Sequence, residues 1–148
     1  MTGMRYRLTP EQGHPVLGVL VPWLAVLAWA SLIFYLSAQP DLSTGLGSWD
    51  MLARKTAHVG EYAVLTVLLW FAISRLGVRL GLALPSAFVL AVIYASSDEI
   101  HQHFIKGRDG NPRDVVIDSI GVTIASLAVV WLRSRNAGAS GENSRQTV

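Results

Sequence analysis

The sequence predicts an all-α, polytopic membrane protein with four transmembrane helices in an up-and-down bundle. Its 148 residues are 51% hydrophobic and only 15% charged, whereas charged residues make up about a quarter of an ordinary soluble domain. The mean hydropathy is +0.41. Four apolar runs, each close to the length that a membrane-spanning helix needs, are separated by shorter polar connections.

The first helix is predicted over residues 16–37, which carry no charge. About twenty residues at about 1.5 Å per residue cross a hydrocarbon core of roughly 30 Å. A cleaved signal peptide is the competing interpretation, but the run is longer than a usual signal core and lacks a good small-x-small cleavage site. The preceding residues 1–15 are polar and contain Pro10 and Pro15, so they are expected to form a tail without fixed structure.

A turn-rich connection at residues 38–54 is predicted to form a loop, with Trp49 and Leu52 turned towards lipid. The second apolar run, residues 57–76, predicts the second helix. Tyr62, near its start, and Trp49 are interpreted as aromatic anchors at the membrane interface.

The third helix is predicted over residues 80–96, started or kinked by Pro85. The fourth is predicted over residues 114–132, and the Gly/Ser/Asn-rich residues after it should be disordered. The chain thus divides into a tail at 1–15, a four-helix membrane domain at 16–132 and a second tail at 133–148.

Small residues recur at helical spacing on one face of the fourth run, after an aspartate. They are Asp118, Gly121, Ala125 and Ala128. Helices in lipid associate where small side chains let their backbones approach closely. This face is therefore predicted to be a packing seam.

The distribution of basic residues predicts that both termini are cytoplasmic, in a cell membrane. The side that would hold the termini carries Arg5, Arg7, Arg75, Arg79, Arg133, Arg135 and Arg145. The other side carries the smaller set Arg54, Lys55, Lys106, Arg108 and Arg113. Basic residues favour the cytoplasmic side of a membrane.

A polar band at residues 96–121 separates the last two apolar runs. In an up-and-down bundle, the end of the first helix, the start of the second, the end of the third and the start of the fourth all meet at one face. Polar side chains occur at each of these four places. Because an ionisable group near the bilayer core is costly unless it is paired, these groups are predicted to converge in one cluster.

Several motifs in these four places resemble the VanZ-like family of membrane proteins. They are Ser37-Ala38-Gln39-Pro40, Lys55-x-x-His58-x-x-Glu61-Tyr62, Ser97-Asp98-Glu99-x-His101-Gln102-x-Phe104 followed by Gly107-Arg108, and Asp114-x-x-x-Asp118-x-x-Gly121. The resemblance covers about residues 33–125. It implies an integral membrane protein of the cell envelope, linked in some members to low-level tolerance of the glycopeptide teicoplanin. It implies no particular biochemical activity.

The residues of the cluster permit several kinds of chemistry. His58 and Glu61 share a helix face, as do Asp98 and His101. Such pairs can bind a transition metal or act as a general base with an orienting partner, so the metal and any other cofactor stay open. The candidate catalytic residues are His58, Glu61, Asp98, His101 and Asp118. The candidate substrate-binding residues are Lys55, Gln39, Gln102, Arg108 and Asp114.

Three interpretations of the cluster remain. It can be an enzyme site for an amphiphilic cell-envelope substrate, a binding or transport site for an anionic envelope molecule, or a salt-bridged structural clamp. The polar residues of the connection, Glu99, Lys106, Asp109 and Arg113, are more simply solvated charges. Membrane lipids are the expected partners, and a formal charge of +2 is too small to indicate a nucleic-acid partner.

Overall fold

The computed structural model describes residues 15–39, 47–105 and 110–143, and these form four α-helices without a strand. The helices are α1 Pro15–Ser37, α2 Ser48–Ser74, α3 Leu80–His103 and α4 Pro112–Asn143. All four are long and apolar enough to cross a membrane. The predicted fold class is confirmed, and the chain is a multi-pass membrane protein in contact with lipid.

Helix α2 starts earlier than the sequence predicted. Residues 48–54 were expected to belong to a loop, but they form the first turns of α2. The helix begins directly after Gly47, whose positive φ of 59° ends the preceding turn, and no proline or glycine interrupts the following residues. Trp49 and Leu52 are exposed, as a lipid-facing position requires.

Helices α3 and α4 are also longer than predicted. Helix α3 runs on from residue 96 to His103, so the first part of the polar band is helical. Helix α4 continues from residue 132 to Asn143, because no proline interrupts its hydrogen-bond ladder, and the first part of the predicted tail is therefore helical as well. The expectations for residues 1–14 and 144–148 lie outside the described residues.

Small side chains hold the bundle together. Ala83, Ala87, Ala91 and Ala95 of α3 recur every four residues and are completely buried. This alanine stripe was not predicted from the sequence. The small side chains let α3 pack against both α2 and α4, while α1 packs mainly against α2.

The predicted seam on α4 is confirmed in part. Gly121 and Ala125 are buried, but Ala128 is exposed, and Val122 and Val129 complete the buried face. A Cβ added to Gly121 would run into the backbone carbonyl of Val59 in α2. The backbones of α2 and α4 therefore approach each other at a point that only glycine permits.

The two ends of the bundle differ in charge. The polar groups lie where α1 and α3 end and where α2 and α4 begin. At the opposite end, some of the described arginines lie over aromatic rings: Arg75 over Phe71 at 4.6 Å and Arg135 over Trp131 at 4.7 Å. Which end faces the cytoplasm stays a prediction.

Candidate functional site

A polar cavity of about 420 Å³ opens at the end of the bundle where α2 and α4 begin and α3 ends. This volume lies within the usual range for a small-molecule site, roughly 300–1,000 Å³. The lining side chains are Met51, Arg54, Lys55, His58, Glu99, Gln102, Asn111, Asp114, Ile117 and Asp118. Basic residues contributed by α2 thus face acidic residues contributed by α3 and α4.

Asp118 lies deepest of the acidic residues and is completely buried. Its Oδ1 is 3.5 Å from Nδ1 of His58, which is too long for a strong hydrogen bond. Within the described part of the chain, neither carboxylate oxygen of Asp118 accepts a hydrogen bond. Since a buried carboxylate without hydrogen bonds is costly, the Asp118 carboxylate has the capacity to accept hydrogen bonds from a further group.

Other carboxyl groups surround Asp118. Glu99, Asp98, Asp114 and Glu61 all interact with it electrostatically. Three of the four predicted stretches, at the start of α2, the end of α3 and the start of α4, therefore bring Glu61, Asp98 and Asp118 near one another, together with His58.

Lys55 and Asp114 form an ion pair at the mouth of the cavity. Nζ of Lys55 donates to Oδ1 of Asp114 at 2.9 Å, and the two side chains are 40% and 34% exposed. Such accessible pairs contribute little stability, typically less than about 1 kcal/mol. Both residues are among the predicted binding residues and both line the cavity.

A second polar group joins α1 to α3 in the interior. Oγ of Ser37 donates to Oδ2 of Asp98 at 2.6 Å, and Nε2 of Gln102 donates to the same oxygen at 2.9 Å. All three side chains are buried. Asp98 is therefore held by hydrogen bonds and does not line the cavity. Ser37 was not predicted as a site residue, although it lies in the first of the family-like motifs.

Tyr62 lies between these two groups. It is completely buried, so its interpretation as an interface anchor is wrong. Its ring centroid is 6.3 Å from that of His58, and its hydroxyl interacts electrostatically with both Asp98 and Asp118. Burial is possible because Tyr62 points inwards from α2, on the face of the helix that also carries Leu65 and Thr66.

Glu99 belongs to the site and is not a solvated charge as predicted. Its side chain is buried, and Oε2 accepts a hydrogen bond of 2.9 Å from the backbone N–H of Asn111. A Cβ on Gly110 would meet the carbonyl oxygen of Glu99, so the start of the α4 segment presses closely on α3. Arg113 is exposed as expected. Lys106 and Asp109 lie outside the described residues.

Two predicted residues turn away from the cavity. The ring of His101 stacks on Phe34 of α1 with centroids 4.3 Å apart. Nε2 of Gln39 donates to the carbonyl of Tyr35 in its own helix at 3.0 Å. Neither side chain lines the cavity. Arg108, also predicted to bind substrate, lies outside the described residues.

Arg54, which was not predicted as a site residue, lines the cavity one residue before Lys55. It lies in the first turns of α2, in residues that had been predicted to form a loop. No ion pair links Arg54 to a carboxylate of the described residues, whereas its neighbour Lys55 is paired. Of the two described cations that line the cavity, Arg54 is therefore the one open to an anion.

No group of three or more His, Asp or Glu side chains among residues 15–39, 47–105 and 110–143 is arranged to hold a metal ion. His58 and Asp118 lie 3.5 Å apart and supply two donors. The mixture of a histidine, carboxylates and cations suits acid–base chemistry or the binding of a polar head group.

Comparison with known proteins identifies the family of the chain. No curated protein and no solved structure shows significant similarity to it. The family model described as VanZ/LLP1 matches residues 19–133, which include all of α2 and α3 and most of α1 and α4. The chain therefore belongs to the VanZ/LLP1 family.

Proposed function

We propose that the cavity binds the anionic head group of an amphiphilic cell-envelope component and that His58 and Asp118 move a proton on it. The observation that carries this proposal is the buried Asp118 carboxylate, which faces a polar cavity and accepts no hydrogen bond from the described residues. A structural carboxylate in a membrane protein is normally hydrogen-bonded. A carboxylate that accepts no hydrogen bond and lies beside a histidine is an arrangement that general acid–base catalysis uses.

The basic side of the cavity supports an anionic ligand. Arg54 and Lys55 begin α2 next to each other, and a guanidinium binds phosphate or carboxylate through parallel hydrogen bonds. The Lys55–Asp114 pair is partly exposed, so an incoming anion can compete with Asp114 for the ammonium at small cost. Because the cavity opens at the end of membrane-spanning helices, its natural ligands are molecules that reside in the membrane.

The resemblance of the chain to the VanZ-like family links this proposal to a phenotype, namely tolerance of teicoplanin. An envelope component whose head group is altered or retained by this site would change how the antibiotic meets the envelope. The proposal thus joins the polar cavity to the phenotype without requiring the antibiotic itself to bind.

The second candidate function is a structural clamp. The observation that favours it is the Ser37–Asp98–Gln102 group, which is fully buried and already hydrogen-bonded. We assign this group to the clamp and the cavity group to function. The division agrees with the hydrogen bonds that Oδ2 of Asp98 accepts from Ser37 and Gln102, whereas neither oxygen of Asp118 accepts one from the described residues.

Substitution of His58 and Asp118 separates these roles. We expect the wild-type chain to confer teicoplanin tolerance on a sensitive host and His58→Gln and Asp118→Asn to abolish it, while the purified variants keep their helix content and elution volume. Thr123→Val, on the exposed side of α4, is the matched control and should keep tolerance. If Asp118→Asn confers full tolerance, the acid–base role is wrong. If it fails to fold, Asp118 belongs to the clamp.

A further inference from the structure

An apolar groove lies beside the polar cavity, between the end of α3 and the beginning of α4. Its volume is about 510 Å³. The side chains that give it its apolar character are Ile100, Phe104, Pro112 and Val115. Two titratable residues at the end of α3, Glu99 and His103, also line it. The groove is thus of a size and character suited to a hydrocarbon chain.

The groove and the cavity share a wall. Glu99 lines both of them, Asn111 lines the cavity, and its neighbours Gly110 and Pro112 line the groove. The hydrogen bond from the backbone N–H of Asn111 to Glu99 is therefore the boundary between a polar and an apolar compartment. A molecule with one polar end and one apolar end can occupy both compartments across this boundary.

The groove opens towards the surroundings of the bundle. Phe104 is 80% exposed and Ile100 is 64% exposed. Ile100 belongs to a helix that is long and apolar enough to span a membrane, and Phe104 directly follows the last residue of that helix. Such side chains face lipid in a membrane. A ligand can therefore enter the groove from the bilayer. The neighbouring cavity, by contrast with the apolar groove, is lined by charged groups.

We propose that the two compartments together hold one long-chain phosphate amphiphile. Its phosphate contacts Arg54 and its hydrocarbon chain lies along Ile100 and Phe104. This inference rests on the proposed function, because it assigns the ligand of the same cavity. It adds the apolar half of the ligand and the groove that recognises it.

The charge of the cavity favours a phosphate near Arg54. Within the described residues, Lys55 is already paired with Asp114, and Asp118 lies beside His58. Arg54 forms no such pair, and its planar guanidinium can donate two parallel hydrogen bonds to a phosphate. The carboxylates on the far wall repel a second anionic group, so a single phosphate is favoured over a highly charged head.

Native mass spectrometry of the full chain, released from dodecyl maltoside micelles, tests the inference with two probes. Inorganic phosphate reports on the cavity alone, and dodecyl phosphate reports on the cavity and the groove together. We expect dodecyl phosphate to bind at least about tenfold more tightly, because it buries apolar surface that inorganic phosphate lacks. Dodecyltrimethylammonium, with the same chain and the opposite charge, should bind no better than background.

Variants assign each compartment. Arg54→Gln should weaken both probes by about tenfold or more, since a charge-assisted hydrogen bond is lost, and Arg113→Gln, a charge at the same end that does not line the cavity, should weaken neither. Ile100→Trp should narrow the groove and weaken dodecyl phosphate alone. Ile93→Trp is its matched control, because Ile93 is exposed two turns earlier on the same face of α3 and does not line the groove.

The outcomes distinguish the two proposals. If Arg54→Gln weakens both probes but the dodecyl chain adds no affinity, or if Ile100→Trp and Ile93→Trp behave alike, the groove inference is overturned and the anion site stands. If Arg54→Gln and Arg113→Gln leave the binding of both probes unchanged, the proposed anion site itself is wrong. Tight binding of the ammonium probe would indicate chain binding without head-group recognition and would also overturn the inference.

Discussion

Replacing Gly121 with alanine should force α2 and α4 apart and destabilise the bundle. The added Cβ would lie 2.9 Å from the backbone carbonyl carbon of Val59 and 3.1 Å from its Cα, and it would meet the carbonyl oxygen at a still shorter distance. All three contacts involve backbone atoms, so no side-chain rotation can relieve them. The two helices must therefore shift relative to each other.

The magnitude follows from two opposing effects. Overpacking of a close contact costs typically about 1–3 kcal/mol, whereas an alanine in a helix interior is about 0.5–1 kcal/mol more favourable than a glycine. The net result for Gly121→Ala is a loss of up to about 2 kcal/mol. Gly60→Ala provides the matched control, because Gly60 follows Val59 in α2 and nothing lies within 4 Å of its added Cβ. This control should be neutral or slightly stabilising.

Unfolding in mixed micelles of dodecyl maltoside and sodium dodecyl sulfate, followed by circular dichroism, measures both variants. The close contact lies one residue from His58 and one helical turn from Asp118, so the shift should also widen the 3.5 Å separation of that pair and reduce the teicoplanin tolerance that the proposed function predicts. Equal stability of Gly121→Ala and Gly60→Ala would refute the reasoning, because it would mean that α2 and α4 do not meet at Gly121.

The remaining predictions concern the polar contacts and the topology. Ser37→Ala should destabilise the bundle by about 1–3 kcal/mol in the same assay, because it removes a hydrogen bond from the buried Asp98. Ser31→Ala, on the exposed side of α1, is the control and should cost much less stability. Equal losses of stability would contradict a structural clamp formed by Ser37, Asp98 and Gln102. A double-mutant cycle on Lys55 and Asp114 should give a coupling free energy below about 1 kcal/mol that decreases as salt is added, since the pair is accessible to solvent. A larger coupling free energy that does not change with salt would be inconsistent with an open cavity mouth. A reporter fused at the C-terminus should be cytoplasmic, and one placed between α1 and α2 should lie outside the cytoplasm; the reverse result would invert the predicted orientation.

Much of the architecture was predictable from hydropathy alone. A membrane imposes a strong constraint, because a helix that crosses it must be apolar over about twenty residues. Four runs of that kind were recognisable, and the structure contains four helices in the same places. The boundaries were less predictable, because residues 48–54 follow a turn-rich stretch and carry Asp50 and Arg54, and yet they extend the helix beyond the apolar run.

The sequence indicated which helix ends contribute residues to the site, but it did not indicate where each side chain points. Lys55, His58 and Asp118 were recognised and line the cavity. Arg54 was missed because it lay in the stretch assigned to a loop. Tyr62 was misassigned because a tyrosine near a membrane interface usually anchors the helix there, and only the packing around it shows that it is buried.

The sequence by itself determined that four helices span the membrane and that the polar stretches meet at one end of the bundle. Alternating helices and the cost of a lone charge in lipid leave few other arrangements. Tertiary structure decided which side chain faces which neighbour. Consecutive helical residues differ by about 100°, so Asp98 binds Ser37 of α1, Glu99 binds the start of α4 and His101 stacks on Phe34. Those directions depend on the rotation of α3, which is set by how closely its buried small residues pack against the neighbouring helices.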